Sequence, residues 1–174
     1  RDHLSGGSVW TFSNGFKVVY RNMPSSGEVY YALALNGGYG GIPDLNTGEG
    51  AFVSDVFRLS RIAGLKGEDF FNALSVEGLV MEPRVTMSNM LIEGHLPKDR
   101  ISLLLQSLQS LSGSIQPMEE SFGYYRECEE LALGHPKSSY EARMTAIDSI
   151  MCPGYKYSPY KSKGRLTSSF YSKA

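Results

Sequence analysis

Side chains that bind metals or act as nucleophiles are scarce in this sequence. Its 174 residues hold two cysteines, Cys128 and Cys152, and three histidines, His3, His95 and His135. Two isolated cysteines make neither a C-x-x-C redox pair nor a zinc pattern. They are expected to be buried free thiols, the usual state of unpaired cysteine, with a Cys128–Cys152 disulfide open if the protein is exported. No histidine has another His, Asp or Glu at a helical zinc spacing that would complete a site. Glu93 and His95 share one face of a strand end, where a metal would be held only weakly, because a catalytic zinc needs three protein ligands. An exposed pair is the expectation there. Long apolar runs are also missing: none approaches the ~20 residues that cross a bilayer. An excess of one charge is missing too, since 17 Lys and Arg face 18 Asp and Glu for a net charge of −1. Nothing in that balance favours nucleic acid or an anionic membrane as a partner. The start, Arg1-Asp2-His3-Leu4, has no apolar core of a signal peptide.

Several catalytic signatures are absent as well. The glycine run Gly37–Gly41 has no Lys-Ser/Thr at the spacing of a phosphate loop and no G-x-G-x-x-G opening a helix. It reads as a strand-to-helix loop. There is no G-x-S-x-G nucleophile elbow. No internal repeat or low-complexity tract interrupts the chain.

What is present is an ordinary globular composition, 41% hydrophobic and 20% charged, in a length that fits one domain with a real core. Asn14-Gly15 stands between alternating apolar residues from Trp10 to Tyr20, a strong hairpin signal. A strand is expected over Glu28–Leu35. A helix is expected from Gly48–Ala51 onward, with Phe52, Val56, Leu59 and Ala63 at helical spacing and Gly64 as its stop. A second covers Gly67–Val76 with Phe70, Phe71 and Leu74 inward. Strands follow at Leu79–Pro83 and Arg84–Glu93, or one strand interrupted at Pro83, since proline cannot donate to a central ladder. Pro97-Lys98-Asp99 opens a helix with Ile101, Leu104, Leu105, Leu108 and Leu111 on its apolar face. Pro117 opens another, carrying Phe122, Tyr125, Cys128 and Ala132. Tyr140, Met144, Ile147 and Met151 form a last helical stripe. Cys152–Arg165 reads as a loop, and Thr167–Tyr171 as a helix just starting. This order predicts an α+β fold, a two-layer sandwich with helices on one face of a mostly antiparallel sheet.

Two charged groups remain. Glu119, Glu120, Glu127, Glu129 and Glu130 cluster on one helix and are expected to form a solvated face. Tyr155, Lys156, Tyr157, Tyr160, Lys161, Lys163 and Arg165 make a basic, aromatic tail, which reads as a surface loop or a contact with the rest of a longer protein.

The order of pieces resembles one family. The stretch from Trp10 to Tyr20 around Asn14-Gly15, the apolar strand ending at Asn36-Gly37-Gly38, and Gly48-Glu49-Gly50 before an apolar stretch are similar to domains of the insulinase/pitrilysin zinc peptidases. The Gly134-His135-Pro136 break and the Leu166–Tyr171 ending fit the same pattern. The resemblance implies a processing-peptidase-like metallohydrolase fold. Catalytic members carry H-x-x-E-H on the helix after the loop, two His binding zinc and the Glu activating water. The matching stretch here has Ala51, Ser54 and Asp55 in those places, and Glu127 or Glu130 in the region of a third ligand. The resemblance therefore implies no catalytic residue, no metal and no cofactor in this chain, with zinc in a catalytic domain elsewhere in the parent. The expected role is that of a non-catalytic domain, residues 1–174 of a longer multidomain chain, one that packs against the catalytic half and helps enclose an unfolded peptide. A structural subunit of the same fold is the alternative. Bacterial relatives of the family imply a periplasmic or otherwise exported setting.

Overall fold

The computed structural model describes residues 1–24, 27–113, 115–135, 138–151, 161 and 163–172. It is an α+β fold in which, among the described residues, every strand pair is antiparallel.

Strands β1 (Ser8–Thr11) and β2 (Lys17–Tyr20) form the expected hairpin. Gly15, at φ 85°, donates its N–H to the Phe12 carbonyl, and Asn14 Oδ1 accepts the Phe16 N–H. The Asn-Gly pair thus supplies both the left-handed residue and the side-chain acceptor of the turn. This hairpin stays a separate two-stranded sheet. Trp10 stacks on Tyr20 and Phe12 leans on Phe16, and all four rings remain exposed.

The main sheet holds β3 (Glu28–Asn36), β6 (Val80–Val85) and β7 (Asn89–Pro97), with β7 in the centre. The break expected at Pro83 is not there. The hairpin turns at 86–88, where Thr86 and Asn89 exchange backbone and hydroxyl hydrogen bonds. Pro83 lies within β6, and β6 is an edge strand, where a residue without an N–H is tolerated. Val29, Tyr31 and Leu33 line one face of β3 opposite Leu96, Gly94 and Ile92. Gly94 leaves room there that a side chain would fill, since a Cβ would lie 1.9 Å from the Val80 carbonyl oxygen. Tyr31 reaches across it and donates its hydroxyl to that same oxygen at 3.0 Å.

The stretch expected to be one helix from Gly48 to Ala63 is a 3-10 segment, Glu49–Asp55, followed by one α turn, α1 (Val56–Leu59). It stops because Ser60 is extended and bonds its hydroxyl back to the Val56 carbonyl. The chain then makes β4 (Arg61–Ile62) and β5 (Leu65–Lys66). Ala63 and Gly64 link them at φ 50° and 84°, so Gly64 belongs to a hairpin turn and is not a helix stop. Helix α2 (Gly67–Val76) has the expected bounds. A short 3-10 turn, Lys98–Arg100, leads into α3 (Ile101–Gly113), and β8 (Ile115–Gln116) joins β4. Helices α4 (Glu119–Gly134) and α5 (Ser139–Met151) follow. On α5 the expected apolar stripe faces outward, with Tyr140, Ile147 and Met151 exposed.

Two cores result. Phe70, Phe71 and Leu74 of α2 and Leu104 and Leu111 of α3 pack with Ile62 and Leu79 on Met81, Ile92 and Leu96 of the sheet. Burying each such side chain contributes about 1.5–3 kcal/mol relative to exposure. The second core gathers Tyr39, Leu45, Phe52, Val53, Phe122, Leu166, Phe170 and Tyr171. Residues 167–171 are therefore part of a plug of turns and not the helix start that was expected. Phe170 is fully buried between Phe52 and Phe122, and Tyr171 stacks on Phe122 at 5.2 Å. The Tyr171 hydroxyl accepts the Met118 N–H at 2.7 Å and lies 3.2 Å from both Ser60 Oγ and the Leu59 carbonyl.

Candidate functional site

The 3-10 segment places Ala51, Ser54 and Asp55 in three different surroundings. Ala51 packs against the second core. Ser54 Oγ accepts the Val85 N–H at 2.8 Å, which ties the segment to the end of β6. Asp55 meets Lys161, whose Nζ lies 2.7 Å from Asp55 Oδ2 and 3.2 Å from Glu129 Oε1 of α4. Tyr125, also on α4, donates its hydroxyl to Asp55 Oδ2 at 2.5 Å, and Lys161 Nζ lies 3.3 Å from that hydroxyl. The rings of Phe52 and Tyr125 lie beneath the ammonium, with centroids 5.3 and 5.8 Å away. An ammonium over aromatic faces gains further attraction from their quadrupoles.

The electrostatics follow from this packing. Burial by itself lowers the Lys161 pKa, but the hydrogen bonds and charges of Asp55 and Glu129 outweigh it and hold the ammonium above its ordinary value. Burial, then the Asp55 bond and charge, push the Tyr125 phenol far upward. The cluster is a cation cup that already contains its cation.

The carboxylate beside Asp55 is thus Glu129, not Glu127 or Glu130. Glu127 is exposed, and Glu130 accepts the Gly164 N–H with both oxygens. The expected solvated acidic face is therefore only partly solvated: Glu119, Glu120 and Glu127 are exposed, whereas Glu129 and Glu130 hold residues 161 and 164. No sequence signal marked Lys161 as their partner. A carboxylate at Asp55 in an apolar stripe required a counterion, but nothing pointed to one more than a hundred positions away. Lys163 and Arg165 of the basic tail are exposed, whereas Tyr155, Lys156, Tyr157 and Tyr160, with the rest of the expected loop over residues 152–160 and 162, lie outside the described residues.

The other candidates are held apart. Glu93 pairs with Arg84 at 3.1 Å, and His95 leans on Tyr30 with centroids 5.7 Å apart, both on the open face of the sheet. His3 and His135 are exposed. Gly37, Tyr39 and Gly40 give their N–H groups to the carbonyls of Ser88, Thr86 and Met87, so this backbone grips the β6–β7 turn and does not form a phosphate cradle. Gly38 fits against that turn so closely that a Cβ would lie 2.2 Å from the Thr86 oxygen. Cys128 is exposed, contrary to the expected burial, because it lies on the outer face of α4. Cys152 lies outside the described residues. An apolar cleft of about 510 Å³ opens between the two cores, lined by Leu35, Val53, Val56, Phe57, Val85 and Met90 among others.

Zinc does not fit this donor set. Ala51 has no donor atom, Ser54 Oγ is engaged by backbone, and Asp55 and Glu129 face an ammonium. Among the described residues no group of three or more His, Cys, Asp or Glu could hold a metal ion. No helix among them is long and apolar enough to cross a membrane.

Neither a family model nor a curated protein matches the sequence. Among solved structures, the chain is similar to the ferredoxin protease FusC, solved as a mutant in complex with Arabidopsis ferredoxin. The TM-score is 0.63 at 15% identity, over 98% of this chain and 18% of the protease chain. That likeness shows a shared fold. The chain spans about a fifth of the length of the protein it matches.

Proposed function

We propose that this chain is a non-catalytic domain of a zinc-metallopeptidase-like protein of the insulinase type, which packs against a catalytic half and helps enclose a peptide. The observation that carries the reading is the fold shared by nearly the whole chain with about a fifth of a protease chain. The departure at Ala51, Ser54 and Asp55 supports the non-catalytic part, since a methyl group and a backbone-bonded hydroxyl supply neither zinc ligand nor base. Unpartnered apolar surface supports the packing part: the ring face of the β1–β2 hairpin and the stripe on α5 are both exposed. Among the described residues β3 pairs with β7 alone, so its other edge has no strand partner there. Such an edge takes up extended peptide through backbone hydrogen bonds. The working zinc belongs to another domain of the parent, in an exported setting.

The purified chain tests this directly. Fluorescence anisotropy with an unstructured labelled peptide is expected to show saturable binding. Mass spectrometry of the same mixture with added Zn²⁺ is expected to show the peptide intact. Chelator-sensitive cleavage would refute the reading, and absence of any peptide binding would favour an assembly subunit of the same fold.

A further inference from the structure

The Asp55 site rejects zinc by its donor set, yet it is built around positive charge. Asp55 comes from the 3-10 segment and Glu129 from α4, and two carboxylates brought together from separate elements repel unless a cation stands between them. Lys161 Nζ stands there, 2.7 Å from one carboxylate and 3.2 Å from the other. Tyr125 supplies a third oxygen at 3.3 Å. An ammonium is a donor with no acceptor, so carboxylate and phenol oxygens with two aromatic rings beneath suit it in kind. All three charged side chains are about a fifth to a third exposed, at 31% for Lys161, 30% for Asp55 and 22% for Glu129. The site is therefore sheltered without being closed.

We propose that the Lys161 ammonium is the resident cation of this site, a tethered substitute for a metal ion, and that removing it creates a divalent-cation site on Asp55 and Glu129. Carboxylate and phenol oxygens are hard ligands, which suit an ion such as Mn²⁺. The inference stands on the geometry of these four side chains and does not depend on the peptidase reading.

Titration calorimetry with Mn²⁺ on the wild-type chain and Lys161→Ala tests it. The variant is expected to bind one Mn²⁺ at least tenfold more tightly than the wild type, and adding Asp55→Asn is expected to cancel the gain. No gain in the variant, or a gain that survives Asp55→Asn, overturns the proposal. A second measurement leaves the lysine in place. Under trace acetylation of the wild type, Lys161 is expected to react at least tenfold more slowly than exposed Lys163, and Asp55→Asn with Glu129→Gln is expected to close that difference. Equal rates in the wild type overturn the proposal even if Lys161→Ala fails to fold. A chain that fails both tests but still binds peptide without cleaving it leaves the proposed function standing.

Discussion

Replacing Phe170 by alanine tests whether the end of the chain truly completes the second core. Phe170 has no exposed surface, and its ring meets Phe52 edge-on at 6.4 Å and Phe122 at 5.9 Å. Phe→Ala at such a site costs about 3–5 kcal/mol, from lost transfer energy and the cavity left behind. A protein of this size loses roughly 2–4 °C of Tm per kcal/mol, so a drop of about 6–20 °C is expected. Set against a total stability of about 5–15 kcal/mol, that is a fifth of it at the least. Thermal melts followed by circular dichroism measure the drop. Val76→Ala, on an 86% exposed side chain, is the control and is expected to stay within about ±0.5 kcal/mol. A shift below 2 °C for Phe170→Ala would show that the closing turns do not dock between Phe52 and Phe122, and would refute the described core.

Two further outcomes are expected. Burial pushes the Tyr31 phenol from 10.0 up to about 12. The folded state keeps that proton where the unfolded state releases it, so its contribution is present below pH 10 and is lost as pH rises from 10 to 12. Tyr31→Phe is expected to flatten the decline in stability over that window, measured by urea unfolding at each pH; an unchanged slope refutes the assignment. Gly38→Ala drives a methyl group into the Thr86 carbonyl and is expected to cost about 1–3 kcal/mol as overpacking; a neutral melt would refute that close approach.

What was legible in the sequence was what local chemistry dictates. Asn14-Gly15 marked its hairpin, and the apolar spacing of Phe70, Phe71 and Leu74 placed α2 with its bounds. The α+β arrangement followed from the order of such segments. Where spacing and turn chemistry disagreed, spacing misled. Phe52, Val56, Leu59 and Ala63 fall on a helical face, but Ala63-Gly64 is a two-residue turn between short strands, and the helix ends at Leu59. Pro83 suggested a break because nothing local says that β6 lies at an edge. The candidate site was half legible. Asp55 was singled out, but its counterion Lys161 and the carboxylate Glu129 are chosen by tertiary packing, which leaves no local pattern.

The two cores differ in when synthesis can complete them. The buried residues of the sheet core all precede residue 112, whereas the core around Phe52 needs Phe170 and Tyr171. At ~5–20 residues per second, the second core waits roughly 3–12 s longer for its last side chains. Once Phe122 is made, it and Phe52 have no ring between them until Phe170 follows. A growing chain thus carries one finished half and one exposed aromatic nest, and the nest is its point of exposure to chaperones and to aggregation. Contacts spanning more than a hundred positions also raise the loop-closure entropy that folding must overcome. The sheet core is free to form first, and the final turns act as the closing stitch.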